Sequence, residues 1–439
     1  MPTARRALAR LAIAAVFAMR VEGAGALHGV VVRARPVLGH CLPTARPARR
    51  AARASAPVVC TLFSPAVFAT SAGAVAELAV SAGLGYAAVR SGLLERSGVT
   101  QLARIVYNFF LPIFLFASVT RTVQTYGVSR GMLALPLVSA IQIACGLSVA
   151  RLLLRALGIS PALRSSRRFV TCAAFGNTGV LPLVLAEAIF RSPPYADATV
   201  LPRAASYLSF YLLGWSPIFW SLGKSILTGD GDVAAAGEPR WRQFARRVIS
   251  PPIIGALGGL AFGLLCPSFV LESPRSPLRI VMQALRNIAR AYPPAALLVL
   301  AGSLAGDAPV SAKAGPEQAA PMDAGRGADA QAPREMGMPT MLLGITAFRF
   351  VLSPLIALGL VRALSALRVL PSVSADPLLT FALLLNSAMP PAQNSVLMLQ
   401  VAGDQKGATQ MSRVLFVVYA LAAVPISVLL SVFLQRVGL

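Results

Sequence analysis

The chain has 439 residues, 56% of them hydrophobic and 13% charged, with a mean hydropathy of +0.69. Soluble domains run near 45–50% apolar and about 25% charged, so a soluble enzyme is excluded. The formal charge of +24 first suggests a nucleic-acid partner, but the basic residues fall between long uncharged stretches, so nucleic acid is excluded and charge becomes a question of membrane orientation.

Residues 1–60 hold ten Arg and one acid, Glu22. A basic start and a short apolar run are followed by small residues, which is the pattern of a secretory signal. The Arg/Ala/Pro-rich stretch after it has the composition of an organellar transit segment. A solvated basic tail has the same composition. Only two histidines occur, His28 and His40, both in this tail. The apolar body therefore lacks imidazole for proton shuttling, metal ligation or a Ser-His triad. Cys41, Cys60, Cys145, Cys172 and Cys266 form no CxxC pair. No cofactor, no metal site and no enzymatic centre are expected.

From about residue 65 the pattern is that of an all-α polytopic membrane protein. A hydrocarbon core about 30 Å thick needs about 20 apolar helical residues. Ten windows fit: 66–90, 99–120, 130–157, 167–191, 203–227, 248–270, 281–304, 338–364, 377–401 and 410–435. A polar linker, 228–247, separates the first five (65–227) from the second five (248–439), and the second half carries an Ala/Gly/Pro/Asp-rich insert at 306–337.

The halves echo one another. Windows 1 and 6 follow Ser-Pro and carry Gly-rich runs, SAGLGYAAV and GALGGLAFG; windows 2 and 7 carry central prolines; windows 4 and 9 carry GNTGVLP and NSAMPPAQNS. With five spans per half, the halves have opposite topology. Inverted repeats with broken helices at matching positions mark secondary transporters. Placing the 1–2 loop in the cytosol puts 18 Lys and Arg on the cytosolic side and 11 on the other, as the positive-inside rule favours.

The breaks are the candidate site. Gly176 and Gly179 flank Asn177 and Thr178, and Pro182 follows, so the backbone should unwind in mid-membrane. Unwound groups at that depth are tolerated where they line a cavity or are buried in protein. The half-helix starting near Pro182 would aim its N–H groups at an anion. A Pro-kinked structural helix is the alternative. Pro390 and Pro391 break window 9, where Gln393 and Asn394 add amides that either face the site or bond neighbouring helices. Asn108 in VYNFFLP could face the site from window 2 or make a packing bond. Tyr107, Phe109 and Phe110 could contact an aromatic substrate, or pack. Arg349 is the one cation well inside a span, so it marks function or a buried partner, with Glu77 or Glu187 available to pair. Glu77 could instead serve charge coupling. Gln142 is a further intramembrane polar group.

At these residues the sequence resembles the auxin efflux carrier (membrane transport protein) family, and most closely its PIN-LIKES branch. TFALLLNSAMPPAQNSVLMLQVAG, with the tyrosine-bearing final span, matches that branch. FGNTGVLPLVL resembles the family's fourth-span element, with Val180 where a second Asn is usual. SPPIIGALGGLAFGLL resembles its sixth span, and Arg349 also resembles a family position. The resemblance covers about 65–439. It implies the fold of bile-acid/sodium symporters: ten spans in two inverted five-helix repeats, with broken helices 4 and 9 crossing in a transport domain. Spans 1, 2, 6 and 7 would form the scaffold of an elevator. It implies a small organic anion as substrate, such as indole-3-acetate, and residence in the endoplasmic reticulum membrane, with a plastid or other organelle as the alternative. Membrane lipid is an expected partner, and a homodimer is a candidate assembly. A Na⁺- or H⁺-coupled carrier of another organic acid and a non-transporting receptor are the competing functions.

Overall fold

The computed structural model describes residues 65–127, 130–191, 195, 200–229, 250–266, 276–304 and 336–438. The basic segment 1–60, most of the 228–247 linker and nearly all of the 306–337 insert lie outside the described residues. What is described belongs to one unit, Phe63–Leu439.

The described residues are helical, with no strand longer than one isolated bridge. Helix α1 spans Pro65–Arg90. Helix α2 (Arg96–Ile105) passes through a π-helical turn (Val106–Phe110) into α3 (Leu111–Tyr126). Next come α4 (Arg130–Ala156), α5 (Arg164–Ala174) and α6 (Val180–Arg191). Helix α7 (Val200–Ile218) continues through a second π turn (Phe219–Gly223) into α8 (Lys224–Thr228). The second half has α9 (Pro251–Leu265), α10 (Pro277–Ala289) and α11 (Tyr292–Leu304). Then α12 (Met338–Ala347) joins α13 (Ser353–Ala366) across a third π turn (Phe348–Leu352). Helices α14 (Pro377–Ser387), α15 (Asn394–Val401) and α16 (Gln405–Val437) close the chain.

Proline explains the π turns at 106–110 and 348–352. Pro112 and Pro354 lack an N–H, and each ring crowds the carbonyl four residues back, Asn108 and Phe350. Both carbonyls lie in a π turn, where wider bonding absorbs the clash without ending the helix. Among the described residues four continuous stretches are long and apolar enough to cross a membrane: Ser97–Thr125, Gly131–Ala156, Met338–Ala366 and Gln405–Val437. Pro251–Leu265 and Pro377–Ser387 are shorter apolar helices. This is the build of a helical integral membrane protein.

The glycine-rich runs act in packing. Gly255, Gly259 and Gly263 form one stripe of α9, seated on α3. A Cβ at Gly259 would lie 2.6 Å from the Phe116 carbonyl oxygen and 2.8 Å from its Cα. That carbonyl's helix also donates back, from the Thr120 hydroxyl to the Gly259 carbonyl at 3.0 Å. Small residues at such spacing let membrane helices approach backbone to backbone. Gly85 of α1 plays the same part against α11, where a Cβ would meet that of Ala301 at 2.8 Å. Window 1 thus packs on window 7, and window 6 on window 2.

Candidate functional site at the paired helix breaks

Helix α5 ends at Ala174, and the chain is non-helical until α6 starts at Val180. Helix α14 ends at Ser387, and α15 starts at Asn394. The two breaks lie against each other as a short antiparallel bridge, Gly176 opposite Pro391. Asn177 N–H donates to the Pro390 carbonyl at 2.7 Å, and Ala392 N–H donates to the Phe175 carbonyl at 3.0 Å. Both carbonyls sit in non-helical backbone and the other break consumes them, so each break satisfies part of its partner's freed backbone.

The paired breaks sort helix ends by polarity. The C-terminal ends of α5 and α14 converge on Arg349, which is 3% exposed. Its guanidinium donates to the carbonyls of Met389 (2.7 Å), Ala173 (3.2 Å) and Ser387 (3.3 Å). Carbonyls at helix C-termini are unpaired and carry partial negative charge, so a buried cation is their natural complement. Among the described residues no carboxylate takes part. Glu187, expected as a partner, instead pairs with Arg191 one turn along α6 at 2.5 Å. Glu77 lies on α1, and its side chain is outside the described residues. Gly176 is required here by space, since a Cβ would fall on the Arg349 guanidinium.

The N-terminal ends of α6 and α15 face a different cavity, of about 30 Å³. Asn177, Thr178 and Gly179 line one side, and Ala392, Gln393 and Asn394 the other. Leu111, Phe114, Trp215, Trp220 and Tyr292 supply apolar walls, with Ser216 among them. Asn177 is held by a relay: its Nδ2 donates to Tyr419 Oη at 2.8 Å, and Tyr419 donates to the Pro391 carbonyl at 3.0 Å. The Asn177 Oδ1 accepts from Gly179 N–H at 3.3 Å. Tyr292 Oη donates to Asn394 Oδ1 at 3.0 Å. Among the described residues the buried Thr178 Oγ1, Ser216 Oγ and Gln393 Oε1 have no hydrogen-bond partner. Buried polar atoms are nearly always paired, so three orphans around one cavity mark a place for a polar ligand or water.

Of the residues singled out in the sequence, Gly176, Asn177, Thr178, Gly179, Pro390, Pro391, Gln393 and Asn394 meet where the two breaks pair. Pro182 is buried in the first turn of α6. Asn108 is not brought there: it is exposed, and its Nδ2 donates to the Arg104 carbonyl at 2.9 Å, a bond within its own helix. Of the three aromatics in that stretch, Tyr107 is buried against Trp220, with ring centroids 5.3 Å apart, and Phe109 is 49% exposed. The cavity's aromatic walls are instead Phe114, Trp215, Trp220 and Tyr292, with Phe114 and Tyr292 at 4.7 Å. Gln142 accepts from Tyr211 Oη at 3.0 Å on the Arg349 side of the paired breaks. Sequence reasoning missed Ser216, Tyr292 and Tyr419. The adjoining Tyr-Pro-Pro of α11 and the lone tyrosine of α16 were the available signals.

Broken helices at matching positions of a helical membrane protein are a mark of secondary transporters. The model of the membrane transport protein family matches residues 70–240 and 241–430, so the chain belongs to that family, the auxin efflux carriers. It is similar to Protein PIN-LIKES 1 of Arabidopsis thaliana, 23% identical over 412 residues that cover 85% of this chain and 80% of that protein. Protein PIN-LIKES 5 of the same plant is 24% identical over 350 residues, covering 69% of this chain and 81% of that protein. Protein PIN-LIKES 7 is 23% identical over 394 residues, covering 78% and 91% respectively.

Proposed function

We propose that the chain is a secondary carrier of a small organic anion, with auxin-like carboxylates such as indole-3-acetate as its leading substrates. The observation that carries this reading is the pair of helix N-termini, α6 and α15, meeting at one cavity. The positive ends of their aligned dipoles favour a carboxylate. The hydroxyls of Thr178 and Ser216, unpartnered among the described residues, are donors within the same walls. Trp215, Trp220, Phe114 and Tyr292 suit a flat apolar ring.

At about 30 Å³ the cavity has room for a water or two, whereas sites for such ligands run to roughly 300–1,000 Å³. Loading an indole carboxylate therefore requires the crossing to part from the wall formed by α3 and α11. That motion is the elevator step of alternating access, with windows 1, 2, 6 and 7 as scaffold. The reciprocal packing of α1 on α11 and α9 on α3 favours two inverted five-helix repeats. Residence in the endoplasmic reticulum membrane follows by likeness to the PIN-LIKES branch.

The test is uptake of radiolabelled indole-3-acetate by proteoliposomes holding the full chain, with and without Na⁺ and proton gradients. Wild type takes up label, and Asn394→Ala and Thr178→Val lose most of it at equal protein. Uptake by both variants at the wild-type rate would refute the site. Saturable binding without flux would favour a receptor, and strict dependence on a cation gradient would favour a coupled carrier.

A further inference from the structure

A second cavity, of about 370 Å³, lies away from the crossing, and the transport reading makes no use of it. Its walls are Arg164, Arg167 and Arg168 of α5, the end of α8 at Leu227 and Thr228, and the α15–α16 turn around Gly403 and Asp404. Three guanidinium groups face one carboxylate. That carboxylate is already committed, because Asp404 caps α16 and accepts from Gly407 N–H at 2.8 Å.

We propose that this cavity binds a phosphate monoester. Guanidinium is a planar fork matched to phosphate oxygens, and it remains charged at any physiological pH. Two of the three forks are pre-positioned. Arg167 donates through Nε and Nη2 to the Ala162 carbonyl at 3.1 and 3.0 Å, and it packs on Gly229. Arg168 is buried and donates to Gln410. Holding these side chains in place removes part of the ordering cost of binding. Arg164 is exposed and has no hydrogen-bond or ion-pair partner among the described residues, so its charge is available to a ligand. The first turn of α5 has no side-chain cap and no acid, which adds the positive end of a helix to the same site.

The volume falls in the range of small-molecule sites. The three wall segments come from the 3–4, 5–6 and 9–10 connections, which the charge count puts on one side of the membrane, at the level of lipid headgroups. Basic pockets at that level take phosphorylated headgroups. A soluble organic phosphate presents the same chemistry. Helix α5 has this cavity at its N-terminus and the crossing at its C-terminus, 11 residues or about 16 Å apart. Occupancy would thus act on one of the two half-helices that build the crossing.

The experiment uses the purified full chain in mild detergent. Native mass spectrometry counts adducts of phosphatidylinositol 4-phosphate against phosphatidylcholine. Equilibrium dialysis with ³²P-labelled inorganic phosphate and with inositol 1-phosphate forms the soluble arm. Specific lipid adducts identify a headgroup site, and saturable soluble binding identifies a free phosphate ligand. In either arm Arg164→Gln should weaken binding about tenfold, the loss of one charge-assisted contact, while exposed Arg155→Gln outside the cavity should not. Arg164→Gln removes no side-chain hydrogen bond or ion pair found among the described residues, and the fold of the variant is checked by its circular dichroism. Absence of saturable binding in both arms, or equal binding by wild type and Arg164→Gln, would overturn the proposal.

Discussion

Arg349 and Gly176 should behave as one unit. Removing the guanidinium in Arg349→Ala withdraws three charge-assisted bonds. The Ser387 carbonyl keeps the Ser353 hydroxyl at 2.9 Å, so the carbonyls left bare are those of Met389 and Ala173. A buried carbonyl stripped of its donor costs about 1–3 kcal/mol, and losing a buried cation relieves some desolvation, which leaves a net cost of roughly 2–5 kcal/mol. Gly176→Ala should cost about the same by another route. Its new Cβ would occupy the guanidinium position, so Arg349 must withdraw and abandon the same carbonyls. Once Arg349 is gone the Cβ has room, and the double variant should be little worse than either single. The coupling energy is then about 2–4 kcal/mol, large for a pair in contact. Gly179→Ala is the control, because its Cβ would meet only Asn177 Oδ1 at 3.9 Å, and its cost should stay within about 0.5 kcal/mol. Equilibrium unfolding of the purified variants in a denaturing-detergent titration, read by Trp215 and Trp220 fluorescence, gives the cycle. If the costs of Gly176→Ala and Arg349→Ala add in full, the two residues do not share the carbonyl cage and the reasoning fails.

Two further outcomes are expected. Gly259→Ala should destabilise by about 2 kcal/mol or more, since backbone atoms of Phe116 cannot yield as a side-chain end can; neighbouring Gly258→Ala, which would meet only the Phe116 ring at 3.6 Å, should be near neutral in the same titration. Tyr419→Phe keeps the ring but removes the donor to the Pro391 carbonyl and the acceptor for Asn177, at a cost of about 1–3 kcal/mol, and it should weaken indole-3-acetate uptake by freeing Asn177. Unchanged uptake kinetics would separate the Tyr419 relay from the site.

The breaks were legible because glycine and proline act locally. Gly176, Gly179, Pro390 and Pro391 forbid or excuse helix wherever the chain folds, so unwinding could be read from their order. The apolar windows were legible for a related reason, since the bilayer is a solvent of known thickness. The charge of Arg349 announced that something must satisfy it, but not what. Carboxylates are the obvious partners in a sequence, whereas backbone carbonyls have no letter code. Three carbonyls from two segments, 173 and 387–389, become a cage only when the breaks pair. Asn108 shows the converse. Its place beside Pro112 suggested the site, yet the π turn faces it outward to its own helix.

The sequence by itself thus determined a helical membrane protein, its family, and two helix breaks rich in amides. Tertiary structure alone decided that Gly176 lies opposite Pro391, that C-terminal ends gather on Arg349, and that N-terminal ends meet at Thr178, Ser216 and Gln393. The reason is physical. Helix breaking depends on the torsions of single residues, which the chain carries wherever it goes. The sorting of helix ends depends on which freed carbonyl finds which donor, and the bonds that pair the two breaks join residues more than 200 positions apart.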